Sequence, residues 1–443
     1  MFGGINPRRA PVPWLPLPFL LSGPLALAAV HLLLATHAAA VVGSYRATAT
    51  VAVTHLLVLG AVVATMMGAL YQMAPVIFVA EAADGRLGLA QGTLYTAGWI
   101  AMVAGFLSGA RGVLAAGGTA VVLAVLLFLV IIGRVLRTAT QWDTPGWYLL
   151  AALAMLVATV GLGLTFALDW RFGWFPIPPH LLAIHVHLGG IGWLTLLIMG
   201  VSYRLVPMFA IAPAPPGILA RGNLGAFIGL LIGLVTLLCL DARRWAISVI
   251  AWGLAAAIGV YLFDMARLYR ARRRRYDLTL LTMWGAMTCL GVAALMGAFW
   301  STGLPARRFG ATQWLSAYAY IALGGWCVLA ICAHVVKIVP FLIWLHRYGR
   351  GMGRGPVPLL KDLLPQRAAI AAIAGYALGF AITATGLLTG QPAMIRAGAW
   401  CAAAGAVGLF GVVLAVLLPH RRSSRAPEHQ AARTARATPE IGD

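Results

Sequence analysis

The stretch HLLVLGAVVATMMGALYQMAP, from His55 to Pro75, returns 132 residues later as HLGGIGWLTLLIMGVSYRLVP, from His187 to Pro207. Both copies place His, Gly, Gly, Tyr and Pro at offsets 0, 5, 13, 16 and 20. A further step of 133 reaches YIALGGWCVLAICAHVVKIVP, where Gly325 and Pro340 persist and Tyr320 stands at the histidine position. Glycine and proline are common in membrane helices, so one such match carries little weight. Five coincident positions, with a third partial copy at the same period, mark an internal repeat. The glycines permit close helix packing, and each proline is expected to end its helix. Neither role accounts for the histidine.

Each copy lies in an apolar run near the roughly 20 residues that span a bilayer. Working outward, such runs fall at about 16–41, 48–71, 91–109, 113–133, 147–168, 180–201, 223–240, 245–264, 279–300, 313–341, 367–389 and 393–418. Of the 443 residues, 61% are hydrophobic and only 10% charged. A soluble domain carries about 25% charge, so the chain is expected to be an all-α membrane protein of about twelve transmembrane helices. Four runs fall in each period. The single domain at 16–418 therefore reads as three pseudo-symmetric four-helix units, at about 16–140, 141–275 and 276–418.

The net charge of +21 is not a nucleic-acid footprint. With the first 15 residues in the cytoplasm, the N-terminal segment, the inner connections and the tail hold 23 of the 32 basic residues, and the outer connections hold 8. That bias is the positive-inside signal. It predicts an inner-membrane protein with both termini cytoplasmic, and the Arg267–Arg275 cluster is suited to anionic lipid. The apolar run behind Arg8 and Arg9 is too long for a signal-peptide core, so it reads as an uncleaved span. The Gly- and Arg-rich stretch 346–367 reads as a solvated linker, with a docking loop as the alternative. The polar tail 419–443 reads as disordered. The five cysteines all lie in spans, with no paired spacing that would suggest disulfides or zinc.

In this topology His55, His187 and Tyr320 each lie about seven residues below the outer surface, roughly 10 Å at the helical rise. His185 lies slightly higher, and His37 reaches a similar level from the first span. Polar groups in hydrocarbon are costly and face a bundle interior. For any one of these histidines, a hydrogen bond to a neighbouring hydroxyl or carbonyl is sufficient explanation. Their clustering points instead to metal or haem ligation, which neutral imidazole serves readily. His185 and His187 diverge by about 200° around their helix, so they serve two different inter-helix spaces. Gly189, Gly190 and Gly192 leave room for a flat macrocycle or for a neighbouring helix. His31 and His334 read as structural, and Asp264 as lying at the cytoplasmic edge of the eighth span.

Twelve spans in three units, with His187 through Pro207 as its clearest stretch, resemble subunit I of the haem-copper oxidases and nitric oxide reductases. The resemblance covers nearly the whole chain in fold, but motif identity is confined to spans two, six and ten. It implies three pseudo-symmetric pores, two of which hold haem in the family, and it matches His55 to the family's low-spin haem ligand. The departures are specific. The tenth span carries Tyr318-Ala-Tyr320 where the family has His-x-His. The sixth carries His185-Val-His187 where the family has one copper ligand. The seventh has no histidine, although the family places a His-His pair there.

A complete three-histidine copper site is therefore not expected, nor is oxygen reduction coupled to proton pumping. The implied cofactor is a non-covalently held haem, b-type or other. His55, His185, His187, His37, Tyr318 and Tyr320 are the candidate binding residues, with His55 and His187 the candidate ligands of the iron. Electron transfer, or the handling of nitric oxide, oxygen, haem or copper, would follow, and any enzymatic activity would be that of an oxidoreductase. The implied partners are the lipid bilayer and other membrane redox subunits or a cytochrome, with no nucleic acid. A cofactor-free transporter or assembly subunit on the same fold remains the alternative reading.

Overall fold

The computed structural model describes residues 12–349 and 357–418. The tail from 419 and the centre of the 346–367 linker thus lie outside the described residues. Twelve long helices follow one another: α1 (Pro16–Thr36), α2 (Thr48–Phe78), α3 (Gly85–Ser108), α4 (Arg111–Arg137), α5 (Thr144–Phe172), α6 (Pro179–Ala210), α7 (Gly217–Cys239), α8 (Arg244–Arg270), α9 (Leu278–Thr302), α10 (Ala311–Tyr348), α11 (Gln366–Thr389) and α12 (Pro392–Leu417). Eleven are long and apolar enough to cross a membrane. The exception, α3, has 24 residues, roughly 36 Å at the helical rise, but a more polar composition. Two of its polar residues, Gln91 and Tyr95, work inside the bundle. Tyr71 of α2 donates to Gln91 Oε1 at 3.1 Å, and the Tyr95 hydroxyl donates to the Leu59 carbonyl at 2.9 Å. Paired in this way, they do not face lipid, and α3 packs lengthwise on α4 as part of the bundle.

The helices close into a ring, with α1 packed along α12. Interior and surface are both apolar, as expected where the solvent is lipid. Outward-facing Leu25, Trp245 and Val249 are 56%, 67% and 62% exposed. The most buried helices are α2 and α10, with 72% and 78% of their apolar cores covered, against 56% for α1, 50% for α6 and 22% for α5 and α8. Small residues set the closest approaches. On Gly379 of α11 a Cβ would lie 2.2 Å from the Ala402 nitrogen of α12, so no side chain fits between those backbones.

Each central helix changes its winding at the same place. A π-helical stretch runs over Leu56–Val63 in α2, Leu188–Thr195 in α6 and Ile321–Cys327 in α10. It starts directly after His55, His187 and Tyr320, so the repeat is structural as well as sequential. The prolines behave less uniformly than expected. α2 and α6 run three residues beyond Pro75 and Pro207, then stop in left-handed Val79 (φ 51°) and Ile211 (φ 52°). There the amides of Ala80 and Ala212 reach back to the proline carbonyls at 3.0 Å. In α10 the helix continues from Pro340 to Tyr348, past the expected end at 341. Buried Leu342, Ile343 and Leu345 hold that extra length by packing.

The first span is also not continuous to 41. It breaks at His37 (φ −108°, ψ 19°), and a short helix, Ala38–Gly43, follows. Part of the basic 267–275 cluster is used within the protein. Arg272 stacks on Tyr276 at 3.8 Å, and Asp277 takes both Arg274 (3.4 Å) and Lys337 (2.9 Å).

Candidate functional site

His55, His187, His31 and His334 share one local geometry. Each has Nδ1 within 2.7–2.8 Å of the carbonyl oxygen four residues earlier: Val51, Ala183, Leu27 and Ala330. A carbonyl only accepts, so Nδ1 carries the proton and Nε2 keeps its lone pair. The helix itself therefore sets the tautomer. What differs among the four is what Nε2 meets.

Between the first and second units, His55 of α2 lies against Phe106 of α3, ring centroids 5.0 Å apart, and Phe106 lies against Trp170 of α5 at 5.6 Å. His185 enters the same space from α6. Its ring meets Phe166 of α5 edge-on at 5.7 Å and occupies the room left by Gly163, where a Cβ would come within 3.0 Å of Cε1. His185 is within electrostatic reach of His55. Its Nδ1 is buried without a hydrogen-bond partner, and His55 Nε2 has none among the described residues.

The next interval repeats this register. His187 on α6 makes no Nε2 hydrogen bond among the described residues, and Tyr318 on α10 stands one period of the repeat on from His185. The Tyr318 hydroxyl lies over Gly297 of α9, 3.2 Å from where a Cβ would stand. The third interval, between the third and first units, is filled. Tyr320 donates its hydroxyl to His31 Nε2 at 2.9 Å and stacks on Phe380 at 5.3 Å. Tyr376 meets His31 edge-on at 5.5 Å and donates to the Gly324 carbonyl at 2.8 Å.

The sequence reading placed His31 outside the site, and nothing short of the tertiary structure pairs it with a tyrosine 289 residues away. His37 is not brought into any of these intervals. Its Nδ1 is taken up at the end of its own helix by Thr36 Oγ1 (2.9 Å) and the Leu33 carbonyl (3.1 Å). Of the three glycines near His187, Gly189 and Gly192 serve contact with α5, at Thr159 and Met155, and only Gly190 faces open space.

Asp264, near the end of α8 as the sequence suggests, is 1% accessible and accepts a hydrogen bond from Tyr203 at 3.2 Å. Tyr148 and Tyr261 flank Tyr203, with ring centroids at 5.6 and 5.8 Å. A buried acid on one helix and a Tyr on another leave no local signal in sequence.

The donor set limits which metal could be held. Among the described residues, no group of three or more His, Cys, Asp or Glu is placed to bind a bare ion. Haem brings four nitrogens of its own and asks the protein for only one or two axial ligands. The first interval fits that demand, with one imidazole lone pair from α2 and, from α6, a second imidazole whose Nδ1 is buried without a partner and whose ring lies near the Thr159 carbonyl. The third does not, because the His31 lone pair is spent on Tyr320 and aromatic rings fill the space.

No family model and no curated protein matches the chain. Among solved structures it is similar to a haem-copper terminal oxidase, solved as a dimer by cryo-electron microscopy. The TM-score is 0.67 at 12% identity, over 92% of this chain and 85% of that one. The chain therefore has the haem-copper oxidase fold: a multi-pass, all-helical membrane protein.

Proposed function

We propose that this protein is a haem-binding membrane protein of the oxidase fold, serving electron transfer or the handling of nitric oxide or oxygen. It resides in the cytoplasmic membrane with both termini inside. The observation that carries this reading is the paired geometry of His55 and His185. His55 from α2 and His185 from α6 enter one aromatic-walled interval; His185 Nδ1 is buried without a partner, and His55 Nε2 makes no hydrogen bond among the described residues. An unpartnered polar atom in a membrane interior costs several kcal/mol, a cost that His55 and His185 would shed by holding haem iron.

When bound, haem supplies a one-electron couple and a site for diatomic ligands. The chain's own residues do the rest. The Nδ1–H bond from His55 to the Val51 carbonyl holds the ring in one orientation and raises its donor strength, as outer partners of metal-bound histidines do. Phe106, Phe166 and Trp170 wall the interval with rings and exclude water. His187 with Tyr318 offers a second, single-imidazole position. The reading does not extend to a proton-pumping oxidase, since α7 contributes no histidine to a copper ligand set.

The test is the absorption spectrum of protein purified from haem-supplemented cells. A Soret band with low-spin character is expected in the wild type, lost in His55→Ala and His185→Ala and kept in Tyr320→Phe. A preparation without any Soret band would overturn the reading. It would favour the alternative, a cofactor-free transporter or assembly subunit on this fold.

A further inference from the structure

Along the axis where α2, α6 and α10 meet, the three helices enclose a cavity of about 70 Å³. It begins about eleven residues beyond the histidine layer, roughly 16 Å along the helices. Its wall follows the register of the repeat. Residues 69, 201 and 334 are equivalent, as are 66, 198 and 331, and 73, 205 and 338. At the first of these levels α2 and α6 present Ala69 and Val201, whereas α10 presents His334. At the other two, α6 and α10 present only Ile and Leu, whereas α2 presents Met66 and Met73. The heteroatoms at these levels are thus one imidazole and two thioethers.

His334 Nδ1 donates to the Ala330 carbonyl at 2.7 Å, so its Nε2 holds a lone pair, and that atom is buried without a partner. The Thr65 hydroxyl, also on the wall, is turned back to the Ala61 carbonyl at 2.7 Å. No acidic residue lines the space. Water is a poor occupant, because a buried water needs two to four polar partners. A divalent cation would leave its charge uncompensated in a low-dielectric interior. Neutral imidazole with neutral thioethers is a soft donor set of the kind that selects Cu(I). The flexible methionine side chains can adjust around an ion.

We propose that His334, Met66 and Met73 form an axial site for a soft monovalent metal ion, Cu(I), between the three repeat-bearing helices. It shares no residue with the His55–His185 interval and does not depend on haem being bound there.

The experiment is anaerobic titration of the full-length purified protein with Cu(I) against a bathocuproine chelator, with X-ray absorption at the copper edge. One Cu(I) per chain is expected, with both nitrogen and sulfur neighbours. His334→Leu should abolish binding. The double variant Met66→Leu/Met73→Leu conserves volume and so keeps the fold; it should lose at least tenfold in affinity. His55→Ala should leave copper binding unchanged, and the methionine variant should leave any haem spectrum unchanged, which separates this site from the haem reading. No copper retained against the chelator by the wild type would overturn the assignment. So would a shell of nitrogen and oxygen alone, or an unaltered affinity in the double methionine variant.

Discussion

At the scale of single residues, the histidines divide by what their Nε2 atoms meet. His31 is fully buried and relies on the Tyr320 hydroxyl. Tyr320→Phe therefore leaves a buried acceptor unpaired and should destabilise the protein by about 1–3 kcal/mol, read as a lower thermal midpoint in detergent. Tyr318→Phe removes a hydroxyl that makes no hydrogen bond among the described residues, and should change that midpoint little. Asp264 and Tyr203 form the other buried pair. Tyr203→Phe deprives a buried carboxyl of its donor and should cost about 1–3 kcal/mol. Tyr203→Phe/Asp264→Leu removes both partners and should recover most of the loss, a coupling that a double-mutant cycle measures directly. Neither pair was legible in the sequence. His31 read as structural and Asp264 as peripheral, since each partner comes from a helix distant in the chain.

At the scale of elements, the informative object is the π-helical stretch behind each repeat-position residue. A π turn carries an extra residue and re-aims the side chains on either side of it. The sequence carried no trace of it; the glycines five residues after His55 and His187 pack against Ala26 and Met155, the packing role the sequence suggested. Deleting one residue within Leu56–Val63 should restore α-helical winding and rotate His55 by about 100° relative to the rest of α2. The expected result is loss of the haem spectrum with the helix content retained by circular dichroism. Packing between elements is set by small residues, as at Gly379 against Ala402. Gly379→Leu must push α11 from α12 and should sharply reduce the yield of folded protein, seen by size-exclusion chromatography. The prolines were legible as helix ends in α2 and α6 only. In α10 tertiary packing beyond Pro340 outweighs the local signal.

At the scale of the whole molecule, an even number of crossings and the inward bias of the arginines together carry the proposed topology, with both termini in the cytoplasm. Reporter fusions at the N- and C-termini should both read as cytoplasmic; opposite signals would show that α3 does not cross. The all-helical, multi-pass membrane character was determined by the sequence alone. Hydropathy, charge bias and a fixed period are local or additive properties that need no contacts to be read. Which residues share an interval was decided only by the tertiary structure. The ring brings His55 and His185 to one interval, fills the third with Tyr320 and His31, and leaves His334 with two methionines at the axis. The physical reason is that helical phase, altered by the π turns, and helix order around the ring together set each side chain's direction. A one-residue change in winding alters it by about 100°, whereas the hydropathy of the segment is unchanged.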